Sequence, residues 1–187
     1  MNEYDPATHT YKINGEIVPS VTQVLNECGV VDTTWFTEES RTLGQHVHTA
    51  CALFDTGDLD LPSLDPAIAP YVRAWASFMS QARFKIEMIE TPLFNESLRC
   101  GGKPDRVGVW EGQFRAIVEI KTGGRRQWHC LQTAGYDDLC GAVRRFCVYL
   151  LDDGRFKVEE HERIQYHADH YIWRSCLSVA QWKRRHS

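Results

Sequence analysis

The chain lacks any uninterrupted apolar run of the roughly 18 residues that a membrane span requires, which predicts no membrane partner. Its polar opening, MNEYDPATHT, also lacks the apolar stretch of a secretory signal. No C-x-x-C pair occurs, and the seven cysteines (Cys28, Cys51, Cys100, Cys130, Cys140, Cys147 and Cys176) are odd in number and widely spaced. That spacing argues against a secreted disulfide framework and against a structural zinc knuckle. A reduced, cytoplasmic setting is the expectation, with most cysteines acting as small buried apolar groups. The phosphate-binding pattern G-x-x-x-x-G-K-[ST] is missing too, so any DNA unwinding would fall to another protein. Repeats and low-complexity linkers are absent, and 187 residues suit one domain spanning 1–187. With 43% hydrophobic and 25% charged residues, the chain is not mainly disordered.

The formal net charge of −4 argues at first against a polyanionic partner, but the charge is unevenly spread. Residues 1–100 carry 6 basic and 14 acidic side chains, whereas residues 101–187 carry 15 basic and 11 acidic. A basic face is therefore compatible with an acidic total.

The order of elements reads as mixed α/β. Asn14-Gly15, flanked by apolar residues over 11–18, signals a hairpin, and Ser20 with Gln23 forms a capping box opening a helix that ends near Gly29. Together these make an N-terminal hairpin and helix over 9–29. A long helix is predicted over 34–54, then a loop to 65, and a second helix starting at Pro66 and running to about 82. Strands are predicted over 84–90, 91–100, 106–110 and 114–121, the last two joined by Glu111-Gly112. A helix over 128–140, strands over 145–152 and 156–161, and a basic-ended helix over 167–185 complete the chain. The motif-bearing core occupies about 41–152.

The richest segment is GGKPDRVGVWEGQFRAIVEIKTGG. Strand alternation puts Glu119 and Lys121 on one face and Ile120 on the other, and the Glu111-Gly112 turn brings Asp105 towards that face. Converging carboxylates and an ammonium are costly to desolvate unless a further charge offsets them. A divalent cation would do so, and hard oxygen ligands suit Mg²⁺ or Mn²⁺. Lys121 can then orient or help deprotonate an attacking water and stabilise charge on a phosphate. Taken alone, E-x-K is a weak signal and reads better as a cross-strand surface ion pair. Trp128, Gln132 and Tyr136 recur every four residues and share one helical face. Gly44, inside a helix, suits close approach of another element, with His48 one turn later. His46 points about 200° away from that face.

These residues resemble the PD-(D/E)XK nuclease superfamily, in its RecB-like, phage-type exonuclease branch. Pro104-Asp105 stands for PD, Glu119-Ile120-Lys121 for (D/E)XK, Gln132 and Tyr136 for Q-x-x-x-Y, and Gly44 and His48 for G-x-x-x-H. Four ordered motifs cover about residues 41–136. The resemblance implies a restriction-endonuclease-like mixed sheet flanked by helices and a Mg²⁺-dependent DNA exonuclease leaving 5′-phosphates. It implies a role in recombination, repair or phage DNA metabolism, in a bacterial or phage-infected cytoplasm. Asp105, Glu119 and Lys121 would be catalytic, supported by Gln132 and Tyr136. Asp105, Glu119, His48 and the Ile120 carbonyl would hold metal, with Glu90 a further ligand on the preceding strand. Beside the resemblance, Arg41, Lys103, Arg106, Arg125 and Arg126 flank the motifs and could meet phosphates, a solvated surface charge being the equal alternative for each. Trp128 could stack a base, with packing against the sheet the commoner role. Cys140, Cys147 and Cys176 lack the close grouping of members carrying an iron–sulfur cluster, so none is expected. DNA is the implied partner, with a single-strand annealing protein a further one and an oligomer admitted. The same fold hosts structure-specific endonucleases and noncatalytic DNA-binding modules, which are the rival readings.

Overall fold

The computed structural model describes residues 1–32, 37–161 and 163–186. In chain order its elements are β1 (Asn2–Asp5), β2 (Thr10–Ile13), β3 (Glu16–Val18), α1 (Val21–Glu27), α2 (Glu38–Thr56), α3 (Ala69–Gln81), β4 (Phe84–Ile89), β5 (Leu93–Asn95), β6 (Cys100–Gly102), β7 (Arg106–Trp110), β8 (Phe114–Lys121), α4 (His129–Cys140), β9 (Arg144–Leu150), β10 (Phe156–Glu160) and α5 (Arg163–His186). The result is the mixed α/β architecture the sequence predicts, a five-stranded mixed sheet flanked by helices.

The central sheet has the order β10-β9-β8-β7-β4. Its β7–β8 pair is a hairpin with Arg106 opposite Val118 and Trp110 opposite Phe114. Strands β8 and β9 are parallel, with Glu119 opposite Cys147 and Lys121 opposite Tyr149. A parallel pair needs a crossover connection, and α4 supplies it. Side-chain parity then sorts the two faces. Ala116, Val118 and Ile120 point into a core shared with Val47 and Cys51 of α2 and with Tyr71, Trp75 and Phe78 of α3. Val107 and Ile117 point into the opposite core, formed by α1, α4 and α5 and centred on Trp173. Glu119 and Lys121 have the same parity as Ile117, so they run off the end of that second core towards α4.

A small three-stranded sheet, β1-β2-β3, closes over Tyr11, Ile13 and Val18. Its turn at Asn14-Gly15 has φ of 53° and 82°, as the hairpin signal requires. Ser20 and Gln23 form the capping box on α1 in both directions.

Several boundaries differ from the sequence reading. Residues 91–100 are not one strand but the start of a hairpin, β5–β6, whose turn is closed by Asn95 Oδ1 accepting the Leu98 N–H at 2.9 Å. Pro66 lies in a turn, fixed by Asp65 Oδ1 accepting the Ala67 N–H at 2.8 Å, and α3 begins at Ala69 with Pro70 in its first turn. Strand β1 was not foreseen, and α5 starts at Arg163 rather than 167. The predicted start of the long helix at 34 lies outside the described residues, and α2 is capped by Thr37, whose side chain accepts from the Ser40 N–H. All seven cysteines are free thiols. Among the described residues, no helix is long and apolar enough to cross a membrane.

Candidate active site

Asp105 sits just before β7, where the hairpin register sets it beside the end of β8. Its backbone N–H donates to Glu119 Oε1 at 2.9 Å, and its Oδ2 accepts the Ile120 N–H at 2.8 Å. Its Oδ1 lies 3.1 Å from His48 Nδ1, on the neighbouring α2. The reach that strand alternation suggested is thus made by two hydrogen bonds across the sheet and one from a helix.

Lys121 Nζ donates to Glu119 Oε2 at 3.1 Å and to Gln132 Oε1 at 2.8 Å. Gln132 Nε2 in turn donates to the Tyr136 hydroxyl at 3.4 Å. A chain of polar groups therefore runs from β8 along one face of α4, and Tyr136 is buried at its far end. Gly44 passes close to the end of β8: a Cβ there would stand 3.4 Å from Thr122 Oγ1. His48, one turn on, shares that approach.

Glu90 follows β4 and comes to the same place. One ligand atom each from His48, Glu90 and Asp105 lies within 4.8 Å of the others. One imidazole nitrogen and two hard oxygens, drawn from three elements, form a donor set that fits Mg²⁺ or Mn²⁺ and leaves positions for water and phosphate oxygens. Glu119 stands next to this trio rather than in it, with its two oxygens taken by the Asp105 N–H and by Lys121. Ile120 buries its side chain in the α2–α3 core and also borders the cleft. Lys103 Nζ lies 2.7 Å from Glu90 Oε2.

Two buried carboxylates this close cannot both ionise cheaply. Burial, and then the Asp105 charge, push Glu119 up to about 7. Burial acts on Asp105 in the same sense, but His48, Lys121 and the Ile120 N–H outweigh it and hold its pKa below the usual carboxylate range. Asp105 thus carries the charge of the pair. Burial also works against the charged forms of His48 and Lys121. Asp105 nevertheless raises His48, and Glu119 foremost raises Lys121, so the lysine is an ammonium.

The trio opens into a cleft of about 740 Å³, bordered by Arg41, Lys103, Arg126 and Trp128. The Trp128 ring lies 6.0 Å from Lys121 Nζ and packs its other side on the α1–α4–α5 core. Arg125 turns away, pairs with Glu159, and borders a neighbouring concavity of about 750 Å³. Arg106 corrects the sequence reading. It is 0% exposed, donates to Asp55 Oδ2 at 2.6 Å and to the Asp105 carbonyl at 2.6 Å, and lies over the Trp75 ring, so it reaches no phosphate. His46 is exposed on the other side of α2, as expected.

The sequence reading passed over His129. Its Nδ1 lies 2.9 Å from the Tyr149 hydroxyl, which itself donates to Glu159 Oε2 at 2.9 Å. Burial first, then Lys121, depress His129 to about 3, so it borders the cleft as a neutral imidazole. Its one sequence signal is position, three residues before Gln132 and hence on a neighbouring face of the helix.

No protein-family model matches the chain, and no curated protein does. Among solved structures it is similar to an alkaline exonuclease, LHK-Exo from Laribacter hongkongensis, with TM-score 0.44 and 13% identity over 89% of this chain and 91% of that one. The same enzyme in complex with dAMP gives TM-score 0.43 and 15% identity over 90% and 92%. A structure described as SSO0001 gives 0.38 and 16% over 85% and 84%. At such scores the functional reading rests on this chain's own residues.

Proposed function

We propose that the chain is a divalent-metal-dependent deoxyribonuclease that removes nucleotides from DNA ends. The observation that carries this reading is the convergence on one cleft of the His48–Glu90–Asp105 donor set and the Glu119–Lys121–Gln132–Tyr136 chain. A structural ion pair has no use for both.

In this reading Asp105, Glu90 and His48 hold Mg²⁺ or Mn²⁺. Glu119 and the Ile120 carbonyl would serve as further ligands, Glu119 once a cation's charge offsets the burial and the Asp105 charge that raise its pKa. The bound ion supplies positive charge to the scissile phosphate and acidifies the attacking water. Lys121, kept as an ammonium by Glu119, donates to that water or to a phosphate oxygen, where negative charge builds. Gln132 and Tyr136 fix the direction in which Lys121 points. Water adds to phosphorus and gives up one proton, the bond to the 3′ oxygen breaks and that oxygen takes up one proton, leaving a 3′-hydroxyl and a 5′-phosphate. Arg41, Lys103 and Arg126, which line the cleft, would follow the phosphates, and Trp128 would stack a base. The exonuclease preference and the setting in recombination, repair or phage DNA metabolism follow from the sequence resemblance. An annealing protein is the partner expected in such a system.

The test is cleavage of end-labelled linear DNA against covalently closed circles, with Mg²⁺, Mn²⁺ or EDTA. Linear DNA should shorten only with metal, and Lys121→Ala should slow it about 100-fold or more. Cutting of closed circles would favour the endonuclease reading. Folded protein that cuts nothing with either metal would sink both.

A further inference from the structure

The Lys103–Glu90 pair is odd for a site that is to receive a cation, because it already holds one. Glu90 is fixed from two sides. Its φ is 41°, an uncommon conformation for a residue other than glycine, and its N–H donates to the Asp105 carbonyl at 3.0 Å. A register shift between Ile86 and Met88 in β4 re-aims the strand just before it. The Glu90 carboxylate is thereby committed to the His48–Asp105 side of the cleft. Lys103 differs: it lies between β6 and β7, carries its charge on a flexible four-carbon stem, and its side chain is 29% exposed. Of the two partners, the lysine is the one able to move.

We propose that Lys103 stands on Glu90 in place of a divalent cation and, on metal loading, transfers its ammonium from Glu90 to a DNA phosphate, so that metal and DNA binding reinforce each other. The proposal rests on the metal-nuclease reading above and adds an order of events to it. Before loading, two carboxylates, Glu90 and Asp105, face one another at the trio, and the ammonium offsets one of them. After loading, a divalent charge satisfies both, and an ammonium left 2.7 Å from Glu90 Oε2 is both redundant and repelled. The nearest anion open to it is then a phosphate in the same cleft, beside Arg126. Both side chains keep more than a quarter of their surface open to water, which screens the pair and lets it be exchanged in this way. By linkage, DNA that draws Lys103 away from Glu90 tightens metal by the factor that metal tightens DNA.

The test is calorimetric titration of Mn²⁺ into the full chain without DNA, for the wild type, Lys103→Met, Lys103→Arg and Glu90→Gln. Lys103→Met should bind Mn²⁺ about fivefold more tightly than the wild type, since no cation then competes for Glu90. Lys103→Arg should bind no more tightly than the wild type. In the Lys121→Ala background, where cleavage is slowed about 100-fold or more, anisotropy of labelled DNA read before appreciable cutting gives the factor by which Mn²⁺ tightens binding. That factor should fall about threefold on Lys103→Met. Mn²⁺ binding by Lys103→Met that is equal to or weaker than wild type overturns the proposal, as does an unchanged factor. If neither the wild type nor Glu90→Gln takes up Mn²⁺, the metal reading itself fails, and the proposal with it.

Discussion

At the residue scale, Arg106 and Arg125 show how differently two arginines near one motif behave. Arg106 is enclosed between Asp55, the Asp105 carbonyl and the Trp75 ring, and Asp55 also accepts the Trp75 indole N–H at 2.8 Å. Asp55→Ala would leave a buried guanidinium without its carboxylate, at a cost of about 3–5 kcal/mol. Arg125→Ala removes an exposed partner of Glu159 and should cost less than about 1 kcal/mol. Urea unfolding of the two variants measures the contrast directly, and similar midpoints would contradict it. The burial of Arg106 was legible in principle. It pairs with Val118, and cross-strand partners share a face, so its side chain had to point at the apolar α2–α3 layer. The charge of an arginine drew it to the phosphate list; strand parity places it in the core. Asp105, Glu119 and Lys121 were readable for the same reason, because alternation along two short strands is local information. What Asp55 and Asp105 each hold was not, since it depends on how helices from distant sequence dock.

At the element scale, α4 connects the sheet to the site, and its position depends on what packs behind it. Gly102, in β6, is one such contact: a Cβ there would fall 2.8 Å from both Tyr136 Cε1 and Leu139 Cδ1. Gly102→Ala must push the Tyr136 ring or the β5–β6 hairpin aside, which costs about 1–3 kcal/mol. Because Tyr136 ends the Gln132–Lys121 chain, the variant should also lose cleavage rate while Arg125→Ala keeps it. A melting curve and single-turnover cleavage with Mg²⁺ test both halves, and a destabilised variant with full rate would separate α4 packing from Lys121 positioning. Sequence pattern missed this hairpin because the residues between its strands, 96–99, hold no Gly or Pro to mark a turn. The signal was Asn95, whose side chain closes the turn and whose Nδ2 also donates to the Asp138 carbonyl at 2.7 Å, at the far end of α4. The helix start read at Pro66 fell to a similar side-chain contact. The Asp65 side chain decided it by capping a turn over residue 67, leaving Pro70 for the helix.

At the scale of the whole molecule, titration links the site to the stability of the fold. The Tyr149 hydroxyl donates to Glu159, so it accepts from His129, which fixes the proton of that neutral imidazole on Nδ1. Burial and Lys121 hold His129 at about 3 in the folded chain, against about 6.5 when unfolded. The unfolded state therefore binds the extra proton throughout that interval. Stability from His129 is complete above pH 6.5 and is lost as pH falls towards 3, by about 1.4 kcal/mol per pH unit. His161, also depressed by burial, acts in the same sense. His48 acts oppositely: raised by Asp105, it stabilises below its unfolded pKa and loses that contribution as pH rises through its folded one. A plain pH profile mixes these trends, whereas a comparison with His129→Asn isolates one of them. Asparagine keeps an N–H donor for Tyr149 and has no proton to gain, while His48 and His161 titrate alike in both proteins. Unfolding free energies in EDTA should show the wild type losing ground to His129→Asn by about 1.4 kcal/mol between pH 6 and pH 5, with no change in their difference above pH 7. A difference that stays constant from pH 7 to pH 5 would mean that the imidazole is already open to protons in the folded chain.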